Sequence, residues 1–241
     1  MKNIKVKNIV EKGAEMVELT ILIPCLNEEQ TLGICIKKAN EFLEANKIEG
    51  EVLIADNGST DRSKEIANSL GARVVDVETR GYGSALINGS KQAKGKFTIM
   101  GDADDSYNFL EIAPLIDELK NGYDLVIGNR YKGKMEKGSM KLSHKYIGTP
   151  IISFIGRKIY KIQAKDFNCG LRAYVTDKVN QLSCESTGME YATEMLIKAK
   201  KSGLKIKEVP INFYKDKRKK ASHLNTVRDG IRHFKTIFAN I

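Results

Sequence analysis

Short runs of β-favouring, mostly apolar residues alternate with segments whose apolar positions recur every three or four residues, beginning at Leu19. Leu19-Thr-Ile-Leu-Ile predicts a first strand, closed by Pro24. Residues 28–45 predict a helix, with Leu32, Ile36, Ala39 and Leu43 on one face. Glu51-Val-Leu-Ile-Ala predicts a second strand. Asn57-Gly58 turns the chain, and Ser59 or Thr60 is placed to cap a helix over 61–70. Arg73-Val-Val-Asp-Val, Lys96-Phe-Thr-Ile-Met and Asp124-Leu-Val-Ile-Gly predict three more strands, with helices near 84–94 and 109–120 between them. Continuous apolar strands alternating with helices predict an α/β fold: a mostly parallel sheet with helices on both faces.

Beyond residue 130 the pattern loosens. Residues 131–143 form a Gly/Lys/Ser-rich loop, 144–163 an apolar helix, and Met189, Ala192, Met195, Leu196 and Ala199 another helix face. Two strand-like runs, 204–209 and 211–214, are broken by Pro210. Leu224, Val227, Ile231, Phe234 and Phe238 fall at helical spacing, with Arg228, Arg232 and Lys235 beside or opposite them. Such a basic amphipathic helix fits either an anionic membrane surface or the face of the preceding domain. The domain plan is therefore a polar extension over 1–18, a domain over 19–214, and a basic loop plus C-terminal helix over 215–241.

Composition narrows the classes. The chain has 241 residues, 41% of them hydrophobic, enough for a sizeable core. Its longest stretch free of Asp, Glu, Lys and Arg, 146–156, is far too short for the roughly twenty residues of a bilayer span. The N-terminus lacks an apolar run before a cleavage site, so neither a signal peptide nor export is expected. Four cysteines without CxxC spacing are read as reduced thiols in the cytoplasm. The formal charge is +10, and residues 198–220 hold ten Lys or Arg against Glu208 and Asp216. Such a block attracts phosphates or is a solvated face.

Polar groups cluster where strands end: Pro24-Cys-Leu-Asn27-Glu28, Asp56-Asn-Gly-Ser-Thr-Asp61, Asp102-Ala103-Asp104-Asp105 and Gly128-Asn-Arg130. In a parallel sheet these four points share one edge, where ligands of such sheets bind. Crowded acids repel unless a cation lies between them. Asp102-x-Asp104 suits Mg²⁺ or Mn²⁺, hard cations that combine carboxylates with substrate phosphates. The simpler readings are an acidic helix cap at 102–105 and an Asx-turn at 56–61. No P-loop is present, and Gly81-Tyr-Gly83 continues with Leu86, so the dinucleotide fingerprint fails.

The ordered set Pro24-x-x-Asn27-Glu28, Asp56 to Asp61, Gly81-x-Gly83, Asp102-x-Asp104 and Arg130-Tyr131 resembles the family-2 glycosyltransferases of GT-A fold, in particular the dolichyl- or polyprenyl-phosphate mannose and glucose synthases. The resemblance covers about 19–235. It implies that Pro24, Leu26, Glu28, Ile54 and Asp56 hold the nucleotide, with Leu26 standing where the family often has Tyr. It implies that Asp102 and Asp104, flanking Ala103, hold the metal and diphosphate, and that Arg130 contacts the donor phosphates. Val209-Pro-Ile-Asn-Phe and the basic loop after it resemble a segment that closes over the diphosphate. Lys217 or Arg218 matches its Arg, and His223 stands where Lys is usual. Gly188-Met-Glu190-Tyr is similar to a Gly-Met-Glu-Phe motif near the acceptor, though it also reads as an ordinary helix start.

The resemblance implies an inverting transfer from a nucleotide sugar, of UDP-glucose or GDP-mannose type, to polyprenyl phosphate delivered from a membrane. That places the chain at the cytoplasmic face. Catalytic roles fall to Asp104, Arg130 and Glu190; a hydroxyl acceptor would draw on Glu190 or Asp105 as base. Three rivals remain. Transfer to a glycan or protein hydroxyl keeps the fold. A nucleotidyltransferase would need a Gly-rich, basic first loop. A nucleic-acid module would need stacking aromatics among the lysines, where only Phe213 and Tyr214 interleave; nucleic acid is not the expected partner.

Overall fold

The computed structural model describes residues 17–218 and 226–241, with the backbone alone at 226 and 227. In chain order the elements are β1 Leu19–Cys25, α1 Leu32–Ala45, β2 Gly50–Asp56, α2 Ser63–Ser69, β3 Arg73–Asp76, α3 Tyr82–Gln92, β4 Phe97–Met100, α4 Ala113–Lys120, β5 Leu125–Asn129, α5 Thr149–Tyr160, β6 Arg172–Val175, α6 Thr176–Asn180, α7 Tyr191–Lys201, β7 Ile206–Pro210 and α8 Thr226–Ala239. A seven-stranded sheet orders them β3-β2-β1-β4-β6-β5-β7. Both β4 and β5 run antiparallel to β6, so β5 points the same way as β4. All strands except β6 are therefore parallel, and the ends of β1, β2, β4 and β5 lie on one edge.

Both faces of the sheet are covered, which explains the nearly unbroken apolar strands. Ile21 and Ile23 of β1 and Ile54 of β2 pack under α1, α2 and α4. Leu22, Leu53 and Ala55 face the other layer, with α3, α5, α6, α7 and α8. The alternation places neighbouring side chains on opposite faces.

Local chemistry moved several expected boundaries. The helix expected over 109–120 is a 3₁₀ turn, Phe109–Glu111, followed by α4 with a proline in its first turn. Pro114 lacks an N–H, so it suits a helix start and breaks a helix interior. The apolar helix expected over 144–163 is a π-helical turn, His144–Gly148, leading into α5, which stops where Lys161 turns left-handed at φ 55°. The run 211–214 is not a strand; Phe213 makes one bridge to Met135. Neither β6 nor α6 was expected. β6 opens on Arg172, fully buried, whose guanidinium donates to the carbonyls of Cys169 (2.9 Å), Ala192 (2.7 Å) and Phe167 (2.6 Å).

The last helix packs on a different face from the expected apolar seam. Asp229, His233 and Ile237 are buried, whereas Ile231 and Phe238 are 51% and 56% exposed and Phe234 is half-buried. Leu224 and the side chain of Val227 lie outside the described residues, as do most of the 1–18 extension and positions 219–225. His233 meets Thr193 Oγ1 at 2.7 Å and Asn168 Nδ2 at 3.4 Å. Burial pushes its pKa down to about 4, against partial support from Glu190 and Asp229. In the unfolded chain the ring returns to its ordinary value near 6.5. The neutral ring's contribution to stability is therefore complete above that value and lost as pH falls towards 4, about 3 kcal/mol in all. His233→Gln keeps a polar group without this titration. Urea unfolding at about pH 7 and about pH 4.5 should show a smaller acid loss for the variant than for the wild type.

Candidate active site

The ends of β1 and β2 brace each other. Asp56 is fully buried, and its Oδ2 accepts the N–H groups of Gly58 (3.0 Å) and Ser59 (2.9 Å). Its Oδ1 has no hydrogen-bond partner among the described residues. Ser59 and Thr60 do not cap α2. Ser59 Oγ accepts from Asn27 N–H (2.9 Å), and Thr60 N–H donates to Asn27 Oδ1 (2.7 Å). Asp61 Oδ1 takes the Ser63 N–H at the start of α2 (3.0 Å), and Ser63 Oγ holds Glu28 N–H (2.9 Å). The 56–61 segment is thus both a turn and a platform for the Asn27-Glu28 loop.

The acidic end of β4 carries the strongest electrostatics. Asp104 Oδ1 accepts from Ser106 N–H (3.0 Å) and Oγ (2.6 Å). Its Oδ2 meets Arg218 Nη2 at 2.9 Å, and the same guanidinium reaches Glu28 Oε1 at 3.0 Å and Asp216 Oδ2 at 2.6 Å. Burial opposes the charge on Arg218, but the bond it donates to Asp216 and the charges of Asp104 and Glu28 hold its pKa well above the ordinary value. Burial raises the pKa of Asp104 and Glu28 while Arg218 pulls both down. Asp102 accepts from Tyr82 Oη at 2.8 Å. Burial, reinforced by the charge of Asp104, pushes its pKa up to about 7.

These contacts sort the expected residues. Pro24, Leu26, Glu28, Asp102, Ala103, Asp104, Arg130 and Arg218 line one cleft of about 870 Å³, a volume suited to a small-molecule ligand. Ile54, Asp56 and Glu190 do not: Ile54 is 1% exposed within the core, because its place in β2 aims it under the helices, and Asp56 and Glu190 are buried next to the lining residues Asn57 and Met189. Lys217 pairs with Asp105 at 2.6 Å, as does Lys38, so Asp105 is a buried ion-pair anchor and not an open base. His223 lies outside the described residues. Arg130 reaches the cleft wall with two nitrogens committed to Asp166, at 2.8 and 2.7 Å. Glu190, also buried, pairs through Oε1 with Arg232 at 2.6 Å, and its Oε2 has no hydrogen-bond partner among the described residues.

Sequence reasoning missed Asp166, Tyr82 and Asp216. Asp166 had a signal: no Asp or Glu occurs between Glu136 and Asp166, so this lone acid needed a reason. Among the described residues no three His, Cys, Asp or Glu side chains converge as a metal site. Asp102 and Asp104 still offer hard oxygens, and a cationic guanidinium already rests against Asp104. That fits an ion taking its other ligands from water and phosphate.

Gly81-x-Gly83 serves close approach. Gly81 has φ 138°, and a Cβ there would sit 2.0 Å from Thr187 O. A Cβ at Gly83 would meet Ser186 O at 2.1 Å and Gly188 O at 2.9 Å. Gly83→Ala should therefore displace the 186–188 segment and lower stability by about 1–3 kcal/mol in urea unfolding.

A family model described as "Glycosyl transferase family 2" matches residues 20–182. The low-salt glycan biosynthesis hexosyltransferase Agl6 of Haloferax volcanii is 35% identical over 223 residues, covering 92% of this chain and 53% of that protein. The chain thus spans about half of that relative's length. A dolichyl-phosphate hexose transferase of the same organism is 29% identical over 199 residues, covering 81% of this chain and 82% of the relative. Among solved structures, glucosyl-3-phosphoglycerate synthase from Mycobacterium tuberculosis, in complex with Mn²⁺, UDP and glucosyl-3-phosphoglycerate, superposes with a TM-score of 0.71 at 20% identity. That match covers 92% of this chain and 79% of the synthase, a likeness of fold.

Proposed function

The chain belongs to glycosyl transferase family 2, and from that premise we propose that it moves a hexose from a nucleotide sugar to a polyprenyl or dolichyl phosphate with inversion. The observation that carries the reading is the charge arrangement at the sheet edge: Glu28, Asp104 and Asp216 bridged by Arg218, with Asp102 beside them. A diphosphate and a divalent cation fit such a site together. The names of the relatives support a hexose donor and a lipid-phosphate acceptor. A peripheral place at the cytoplasmic membrane face follows from that acceptor; no helix among the described residues is long and apolar enough to cross a bilayer.

Each residue then has a task. Pro24 and Leu26 form an apolar wall for the base. Asp56 lies fully buried behind that wall, and its Oδ1, without a hydrogen-bond partner among the described residues, would serve a base or ribose donor only once the Asn57 side of the cleft opens to it. Asp102 and Asp104 would hold Mg²⁺ or Mn²⁺, which supplies electrostatic stabilisation to the departing diphosphate. Arg218 presents fixed positive charge to the same oxygens. Arg130, oriented by Asp166, keeps one guanidinium nitrogen outside that bidentate pair for a phosphate. A lipid phosphate is already ionised and needs no strong base. One observation favours a hydroxyl acceptor instead: Glu190 Oε2, buried next to the lining residues Gly188 and Met189 and without a partner among the described residues, would take such a proton.

A panel of UDP- and GDP-sugars, assayed for Mn²⁺-dependent transfer to polyprenyl phosphate and to soluble glycans, separates the two. Asp104→Asn should lower transfer about a thousandfold with unchanged circular dichroism, since one charged ligand carries several kcal/mol of leaving-group stabilisation. Activity in excess EDTA, or in that variant, would refute the reading.

Arg218→Met removes the cation from among three acids. In EDTA it should lose about 3 kcal/mol of stability. Thermal unfolding should show Mn²⁺ restoring more of its Tm than it adds to the wild type.

A further inference from the structure

The outward face of α5 is apolar. Thr149, Ile152, Ser153 and Gly156 are buried against the domain, so the opposite side should be polar, as on an ordinary surface helix. It carries Ile151 and Phe154, preceded by Leu142, Tyr146 and Ile147 from the adjoining segment. Their exposures run from 44% for Ile151 to 72% for Leu142. Large apolar side chains scattered singly need no explanation, but a contiguous set marks a contact surface.

The rim of this stripe is basic. Between residues 137 and 165 there are seven Lys or Arg and no Asp or Glu. Lys145 Nζ lies 5.5 Å from the Tyr146 ring centroid, and Lys158 Nζ lies 5.8 Å from that of Phe154. The stripe also adjoins the cleft, because His144, Gly148, Thr149 and Ile152 line it. On the other flank, Tyr160 Oη donates to Ile237 O of α8 at 2.6 Å. α5 is roughly 18 Å long, too short to cross a hydrocarbon core of about 30 Å. A short helix with an apolar outer stripe, an aromatic ring and lysine flanks suits the plane of the interface, where burial adds to attraction for anionic headgroups.

We propose that the 142–154 stripe docks this chain on an anionic lipid bilayer, so that the cleft mouth opens at the headgroup layer. The proposal rests on the lipid-acceptor reading for its purpose, but not for its test. It assigns docking to α5 and the turn before it, and no longer to α8 alone. Charge selects the occupant: a second copy of the chain would bring two acid-free basic rims together, whereas an anionic bilayer complements them.

The chain has no tryptophan, so Phe154→Trp creates a single reporter. With vesicles of phosphatidylcholine and phosphatidylglycerol, its emission should shift to the blue and be quenched by brominated lipid. Phosphatidylcholine alone, or high salt, should weaken both effects. In the otherwise intact chain, Ile147→Ser, Ile151→Ser and Phe154→Ser together should reduce co-sedimentation at least about tenfold, leaving calorimetric binding of UDP or GDP with Mn²⁺ unchanged. An unmoved reporter, or equal vesicle binding by wild type and triple variant, overturns the proposal. So does a dimer that the triple variant splits while vesicles are ignored. If the triple variant does not fold, the reporter alone decides. Reporter insertion without any transfer to polyprenyl phosphate would uphold docking and refute the acceptor reading.

Discussion

Carboxylates from three separate chain segments converge at one sheet edge, and their mutual repulsion must be met by positive charge. Glu28 follows β1, Asp102 and Asp104 follow β4, and Asp216 follows β7. Arg218 bridges three of them. The fold exists in a form that makes this convergence possible: β1 and β4 are neighbours, parallel, with their carboxyl ends on the same edge. A compact domain accepts such a concentration of like charge only where a counter-charge is fixed by the chain or supplied by a ligand. In this molecule the chain fixes one, and the remaining acidic capacity at Asp102 is what a metal–diphosphate ligand would meet.

β1, β2, β4 and β5 were legible because each is largely buried on both faces, so sequence and packing demand the same apolar run; β3, at the margin and only partly buried, was legible through its Val-Val pair. The acidic and Asn-rich turns were legible because they stand where those runs stop. β6 was not. It has four residues, begins on a buried arginine, and sits in the sheet through its neighbours rather than through its own pattern. Asp166 was hidden for the same reason: its role comes from Arg130, 36 positions earlier. Ile54 was a plausible site residue by its face of the strand. It precedes Asp56 by two residues and shares its face of β2, but at that depth the space is filled by core side chains. The face that α8 buries was obscured by composition, since Asp229 and His233 look like solvent residues, and the burial of His233 shows only when Thr193 and Asn168 are brought beside it.

The two ends of the cleft are in contact through the chain between them. Tyr82 holds Asp102 on the donor side, and it stands between two glycines that let α3 approach the 186–188 backbone. That backbone leads into Glu190, which Arg232 of α8 holds at 2.6 Å. Gly188 itself is confined, since a Cβ there would meet Glu190 Oε2 at 2.7 Å and the Arg232 guanidinium carbon at 2.8 Å. The two ends are thus joined by an unbroken series of close contacts, with no long linker between them.

The strand order leaves β3 and β7 at the two margins of the sheet. β3 has four residues and ends at Asp76, paired with Lys64. β7 has five, with Lys207 and Glu208 in its middle and Pro210, which has no N–H to donate, at its end. Short, charged margins with a proline stop give a stray extended chain little to pair with. Proteins held on a surface meet one another far more often than in bulk, and strand-by-strand self-association is the hazard that such crowding raises. The margins of this sheet offer crowded neighbouring copies no long apolar edge to zip onto.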